Sequence, residues 1–163
     1  MVLKAGIRTL DEESRRTVRV EIPSEEAARV SARLETLRPT LQERFRKHSL
    51  EWEAPQHLVY HPGDFFRRHH DRSFDPEEVV TGRRRVSIVV FLNGTGEASD
   101  AKTFDGGVLT FYGLLADPRL HHVQYPLRAE AGLLIAFPSY VLHEVTPVTR
   151  GERHTVVAWL TET

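Results

Sequence analysis

There is no cysteine in this chain of 163 residues. That removes disulfides, thiolate nucleophiles and cysteine-ligated zinc, and it leaves the redox compartment undetermined. No apolar run approaches the ~20 residues of a membrane-spanning helix, and Met1 to Gly6 shows no signal-peptide core. A soluble, cytoplasmic protein without a membrane partner is therefore expected. Charge of one sign is not in excess either: 22 Lys and Arg stand against 23 Asp and Glu. No global field thus favours nucleic acid. Repeats, low-complexity tracts and linker-like stretches are missing too. What remains is one domain over residues 1–163 with enough chain to bury its own core.

The hydrophobic pattern divides that domain. Arg16 to Ile22 alternates as a short strand, with Val18, Val20 and Ile22 on one face. Pro23-Ser24-Glu25-Glu26 reads as a helix start, with Ser24 as the cap and the glutamates at the positive end. Ala28, Val30, Leu34 and Leu37 form a helical stripe, and Leu41, Phe45 and Leu50 a second one, so helical support is expected over about 24–50. From Glu51 onward, strands are expected at 58–60, 65–71, 85–92, 107–111, 133–137, 142–148 and 153–160. Mainly β structure behind flanking N-terminal helices suggests two facing sheets, a double-stranded β-helix of jelly-roll or cupin-like form, with its core over about 57–161.

The chemistry sits in four residues. His69 and Asp71 are separated by one position and so share a face if the segment is extended. Nine histidines make a stray His-x-Asp match easy, so the pair needs support, and His143 supplies it. Two imidazoles and one carboxylate fill three corners of an octahedral ion and leave three open, the set suited to non-haem Fe(II) that must admit a chelating cosubstrate and dioxygen. Arg153 adds a permanently charged fork for a dicarboxylate. Thr149-Arg150-Gly151 reads as a hairpin loop that pairs Val148 with Glu152 and sets His143 opposite Val157. Arg153, Thr155, Val157 and Trp159 would then share His143's face, and a one-residue slip would turn Arg153 away.

These residues lie in longer stretches: Tyr60-His61-Pro62-Gly63-Asp64-Phe65-Phe66-Arg67-Arg68-His69-His70-Asp71, Phe91-Leu92-Asn93, Gly106 to Phe111, Phe137-Pro138-Ser139, His143-Glu144-Val145, Pro147-Val148, Gly151-Glu152-Arg153 and Trp159. In order and spacing they resemble the prolyl 4-hydroxylase-like branch of the 2-oxoglutarate/Fe(II)-dependent dioxygenases, over about residues 57–161. The resemblance implies that His69, Asp71 and His143 ligate iron and that Arg153 holds the far carboxylate of 2-oxoglutarate. It also implies that the Tyr60 hydroxyl approaches the cosubstrate, with Trp159 counted among the cosubstrate-binding residues. Phe91 departs from the pattern, standing where several relatives carry a second cosubstrate-binding tyrosine. The implied cofactors are Fe(II), 2-oxoglutarate and O2, with ascorbate as a candidate reductant. The implied reaction is hydroxylation of an unactivated C–H bond with release of succinate and CO2. Asp71 favours hydroxylation, because halogenating relatives replace this carboxylate with a small residue.

Formal charge agrees with that assignment. Fe(II) with two neutral imidazoles and one carboxylate keeps about one positive charge, and a 2-oxoglutarate dianion takes the site to about one negative, which Arg153 offsets. The expected enzyme hydroxylates a prolyl residue of a peptide or protein, by family analogy alone; a free amino acid or small metabolite is the alternative substrate. Another class, a cupin-like metal-binding isomerase or non-oxidative binding module, would share the ligands but would not need Arg153. A third, an inactive barrel used for interaction, would need no metal ligands. Residues 72–82 and 94–105 are candidate substrate loops. Arg67, Arg68, Arg72 and Arg83 to Arg85 cluster near the site but, beside Asp75, Glu77 and Glu78, read as a solvated rim. His61, His70, His121, His122 and His154 read as surface or structural residues. Oligomeric state is left open.

Overall fold

The computed structural model describes residues 7–8, 13–96 and 102–163. Its strands are β1 (Ile7–Arg8), β2 (Arg15–Arg16), β3 (Val18–Val20), β4 (Leu50–Tyr60), β5 (Phe65–His69), β6 (Arg84–Phe91), β7 (Asp105–Gly106), β8 (Leu109–Tyr112), β9 (Gln124–Leu127), β10 (Leu134–Pro138), β11 (His143–Val145), β12 (Val148–Arg150) and β13 (Arg153–Glu162). Helices α1 (Ser24–Glu35) and α2 (Arg38–Arg44) precede β4, and a short α3 (Val79–Gly82) lies between β5 and β6. One sheet runs β1-β3-β4-β13-β6-β10 and the other β2-β5-β11-β8-β9, with β12 and β7 forming a separate pair. Leu58, Tyr60 and Phe91 from the first sheet and Leu109, Phe111 and Val145 from the second meet in one buried cluster, so the sheets face each other as a squashed barrel.

Strand alternation builds a second core on the outside. Val86 and Ile88 of β6 and Ala158 and Leu160 of β13 pack with Leu34 and Leu41 of the helices. The neighbours of these residues on β13, Arg153, Thr155, Val157 and Trp159, point to the barrel interior. Both faces of this sheet are covered around β6 and β10, which is why those two strands read as nearly continuous apolar runs.

Several expectations are corrected. Ser24 is the first helical residue, not the cap: Pro23 occupies that position, extended, and no side chain caps the helix. The strand expected over 16–22 is divided between the two sheets at buried Thr17, whose Oγ1 donates to the Val59 carbonyl at 2.9 Å. β4 starts eight residues before the expected Leu58 and contains Pro55 beside the bulge between Val157 and Trp159, where a missing N–H is tolerated. β9 was not expected; it is an edge strand interrupted by Pro126. The 142–148 segment is divided at Thr146-Pro147 into β11 and β12.

The hairpin is the largest correction. β11 is already paired on both sides, with β5 and β8, so no edge is left for β13. His143 lies opposite His69 and Phe111 rather than Val157. Val148 pairs with Gly106 and exchanges hydrogen bonds with the 63–64 turn rather than with Glu152. Gly151 does take the left-handed conformation, with φ 69°. A Cβ there would sit 2.3 Å from the Thr103 carbonyl oxygen, so the turn crosses between sheets against the 103–104 backbone.

Candidate metal centre and anion pocket

His69 ends β5, and Asp71 lies in the bend just beyond it rather than in the strand itself. The antiparallel pairing of β11 with β5 sets His143 beside His69, with ring centres 4.2 Å apart. His69 Nε2 is 3.5 Å from Asp71 Oδ1, and His143 Nε2 is 3.7 Å from Asp71 Oδ2. One donor atom from each of the three residues lies within 4.8 Å of the others, the spacing a single cation can bridge.

The proton positions suit a metal. His69 Nδ1 faces the Arg67 carbonyl at 2.7 Å, and His143 Nδ1 faces that of Val141 at 2.9 Å. A carbonyl only accepts, so each Nδ1 carries the proton and each Nε2 turns a lone pair to the centre. Burial pushes His143 down to about 4, against the opposing pull of Asp71, so the ring is neutral near pH 7. Burial alone would raise Asp71, but its interactions with His69 and His143 outweigh that, and the carboxyl is held well below the usual range. Ser87, whose Oγ donates to Ser139 Oγ at 3.0 Å, contributes a smaller lowering influence on Asp71. Two neutral imidazoles and a carboxylate are a ready set for a divalent first-row ion, and the residues present fit Fe(II).

Arg153 stands on the opposite sheet and lines the same cavity of about 590 Å³ as the three ligand candidates. It is 2% exposed. Its Nη1 donates to Thr155 Oγ1 at 3.3 Å, while its buried Nε has no partner. The guanidinium carbon lies 5.0 Å from the ring centres of both Tyr60 and Phe91. No carboxylate pairs with Arg153 among the described residues. Burial pulls it down to about 10, still protonated at neutral pH. A buried cation without a counter-ion is costly, and an arriving carboxylate would relieve that cost with a two-toothed, charge-assisted contact.

Tyr60 is paired opposite Arg153 and presents its ring to it. Trp159 lines the cavity under Arg84, whose guanidinium carbon is 3.7 Å from its ring centre, and its buried Nε1 is unpartnered. Residues 72–82 supply Arg72, Ser73, Phe74, Glu78 and Thr81 to the cavity wall. Of the 94–105 loop, residues 97–101 lie outside the described residues. Thr155 was expected on this face, whereas Ser87 and Phe66, which stacks on His69 with ring centres 3.4 Å apart, were not expected to support the site. Ser87 had a signal: it is the lone polar residue in Val86-Ser87-Ile88-Val89-Val90-Phe91.

Comparison with known proteins agrees with this geometry. The model of the 2OG-Fe(II) oxygenase superfamily matches residues 55–161. A PKHD-type hydroxylase of Sphingopyxis alaskensis is 33% identical over 108 residues, which is 66% of this chain and 44% of that protein. One from Shewanella oneidensis is 31% identical over 111 residues, 68% of this chain and 44% of the relative. This chain therefore spans less than half the length of these relatives. A Pseudomonas putida prolyl-4-hydroxylase structure superposes with TM-score 0.71 at 30% identity, covering 99% of this chain and 78% of that one. A Trichoplax adhaerens prolyl hydroxylase in complex with a hypoxia inducible factor peptide fragment gives TM-score 0.71 at 17% identity, covering 97% and 70%, and carries the fold alone.

Proposed function

We propose, from the premise that this chain belongs to the 2OG-Fe(II) oxygenase superfamily, that it is a 2-oxoglutarate-dependent hydroxylase acting on a prolyl residue of a peptide or protein. The observation that carries the reaction class is Arg153, a buried cation without a counter-ion among the described residues, in one cavity with a His-Asp-His cluster. The prolyl substrate is supported by the likeness to the Pseudomonas putida prolyl-4-hydroxylase, which is 30% identical to this chain.

Fe(II) held by His69, Asp71 and His143 would supply, with O2 and 2-oxoglutarate, the oxidising power for an unactivated C–H bond, releasing succinate and CO2. The protein's own contribution is geometric and electrostatic. Carbonyls of Arg67 and Val141 hold the imidazole protons away from the centre. Ser87 steadies Asp71. Arg153, braced by Thr155 and walled by Tyr60 and Phe91, receives the distal carboxylate of the cosubstrate. Apolar Leu58, Leu109, Val145 and Val157 in the wall restrict water.

Anaerobic titration of the Fe(II)-loaded protein with 2-oxoglutarate should produce a visible charge-transfer band, and admission of oxygen should release succinate slowly without added substrate. An absent band with metal demonstrably bound would remove the cosubstrate assignment. Arg153 also weighs against a cupin-like isomerase or binding module, which has no dicarboxylate to hold. A free amino acid or small metabolite is the second reading of the substrate.

A further inference from the structure

The cavity carries more positive charge than an iron centre and its cosubstrate use. Besides Arg153, its wall contains Arg15, Arg72 and Arg84, against the carboxylates of Asp71 and Glu78. Asp71 faces the two imidazoles, and Glu78 accepts from Thr81 Oγ1 at 2.9 Å. Arg84 is neutralised: its Nε lies 2.8 Å from Glu53 Oε2 and its Nη2 2.5 Å from Oε1. Arg15 and Arg72 are different. Both are partly buried, each has its Nε shut off from solvent without a hydrogen-bond partner, and neither has an ion-pair partner among the described residues. Glu162 feels the field of Arg72 but is bonded to Arg85.

Aromatic faces hold these two cations in place of acids. The Arg15 guanidinium carbon is 4.6 Å from the Phe66 ring centre, and Phe66 is itself stacked on His69. Arg15 is thus one aromatic layer from the metal-facing imidazole. Arg72 follows Asp71 directly, its backbone N–H donates to the Ser139 carbonyl at 2.9 Å, and its guanidinium carbon lies 5.6 Å from the ring of exposed Phe74. Cation–aromatic contacts orient a guanidinium while leaving its N–H edge unused. A buried donor without an acceptor is unfavourable, and an incoming carboxylate relieves two such donors together. The carboxylates of 2-oxoglutarate already have Arg153 and the metal, so the anion must belong to the other ligand.

We propose that the primary substrate carries a carboxylate near the carbon to be hydroxylated, and that Arg15 and Arg72 grip it at the cavity wall. This inference rests on the oxygenase reading. The carboxylate has two sources, an Asp or Glu flanking a prolyl residue or the α-carboxylate of a free amino acid, and the two share one recognition chemistry.

The test offers the Fe(II)- and 2-oxoglutarate-loaded chain two probe sets in air: a peptide library with a fixed central proline and randomised neighbours, and free amino acids beside their amides. The readouts are gain of one oxygen by mass and succinate release. The expected result is enrichment of Asp or Glu beside hydroxylated proline, or preference for free acids over amides by about tenfold or more in kcat/KM. Arg15→Gln and Arg72→Gln should raise KM for the preferred carboxylate by about tenfold with a smaller change in kcat, and Lys at either position should recover part of the loss. Equal use of neutral and acidic probes overturns the inference, as does an undiminished charge preference in both Gln variants. So does succinate release with no carboxylate-bearing probe oxidised. No succinate under any condition removes the oxygenase reading itself, a distinguishable failure.

Discussion

His69 and His143 are direct partners across adjacent antiparallel strands, although 74 positions separate them in the chain. Their ring centres lie 4.2 Å apart because β5 and β11 are neighbours, and Asp71 enters from the bend that ends β5. The candidate centre is therefore held by strand pairing, whereas Arg153 comes from the facing sheet.

Arg153 is expected to weaken the protein that it equips. Replacing it with Met should raise the melting temperature of the cosubstrate-free protein, because a buried cation without a counter-ion gives way to an apolar group of similar reach. The same change should weaken 2-oxoglutarate binding by about 30- to 100-fold, the equivalent of a charge-assisted bidentate contact, while metal affinity is retained. Thermal melts with and without 2-oxoglutarate check both. Cosubstrate stabilisation equal to that of the parent would count against the assignment.

Ser87 should matter through Asp71. Ser87→Ala removes a hydroxyl that helps to hold that carboxyl down, and loss of such outer support typically costs about 10- to 100-fold in metal affinity. Competition with a chelator of known affinity measures this, and an unchanged metal Kd would show that the hydroxyl serves only its 3.0 Å contact with Ser139. His143→Ala should abolish metal-dependent turnover outright. Asp71→Gly should abolish hydroxylation, with partial return on adding a small carboxylate.

Acid should destabilise the metal-free protein. Burial lowers His143 to about 4 from 6.5. Between those values the unfolded chain binds a proton that the folded chain refuses, so stability falls as pH drops through that window and is level above it. Asp71 acts in the same direction at lower pH, below its ordinary 3.8. Denaturation midpoints of chelator-treated protein should fall from pH 6.5 towards 4, and His143→Asn should flatten part of that slope. An equally steep slope in the variant would assign it to other groups.

Gly107 should resist substitution. Its φ is +55°, and an added Cβ would lie 2.9 Å from Arg153 Cδ and 2.8 Å from Val148 Cγ2. Gly107→Ala should cost about 1–3 kcal/mol through backbone strain and crowding and displace the Arg153 stem, raising KM for 2-oxoglutarate. Denaturation midpoint and cosubstrate titration of the one variant separate these effects, and wild-type values in both would refute the crowding.

Residue chemistry and spacing, with the family resemblance, singled out His69, Asp71, His143 and Arg153 as candidates, and the structure brings all four to one cavity. They also indicated the helices that cover one sheet and the alternation along β13 that turns Arg153, Thr155, Val157 and Trp159 one way. That alternation is local, a consequence of strand backbone geometry. Strand partnership is not local, since hydrogen bonds between strands carry no record in either strand of which neighbour it will meet. The 142–160 region therefore read as a hairpin, whereas β11 and β13 belong to different sheets. Only the tertiary structure decided that the three ligand candidates and Arg153 line one cavity from facing sheets, and that Ser87, Phe66, Arg15 and Arg72 gather around them.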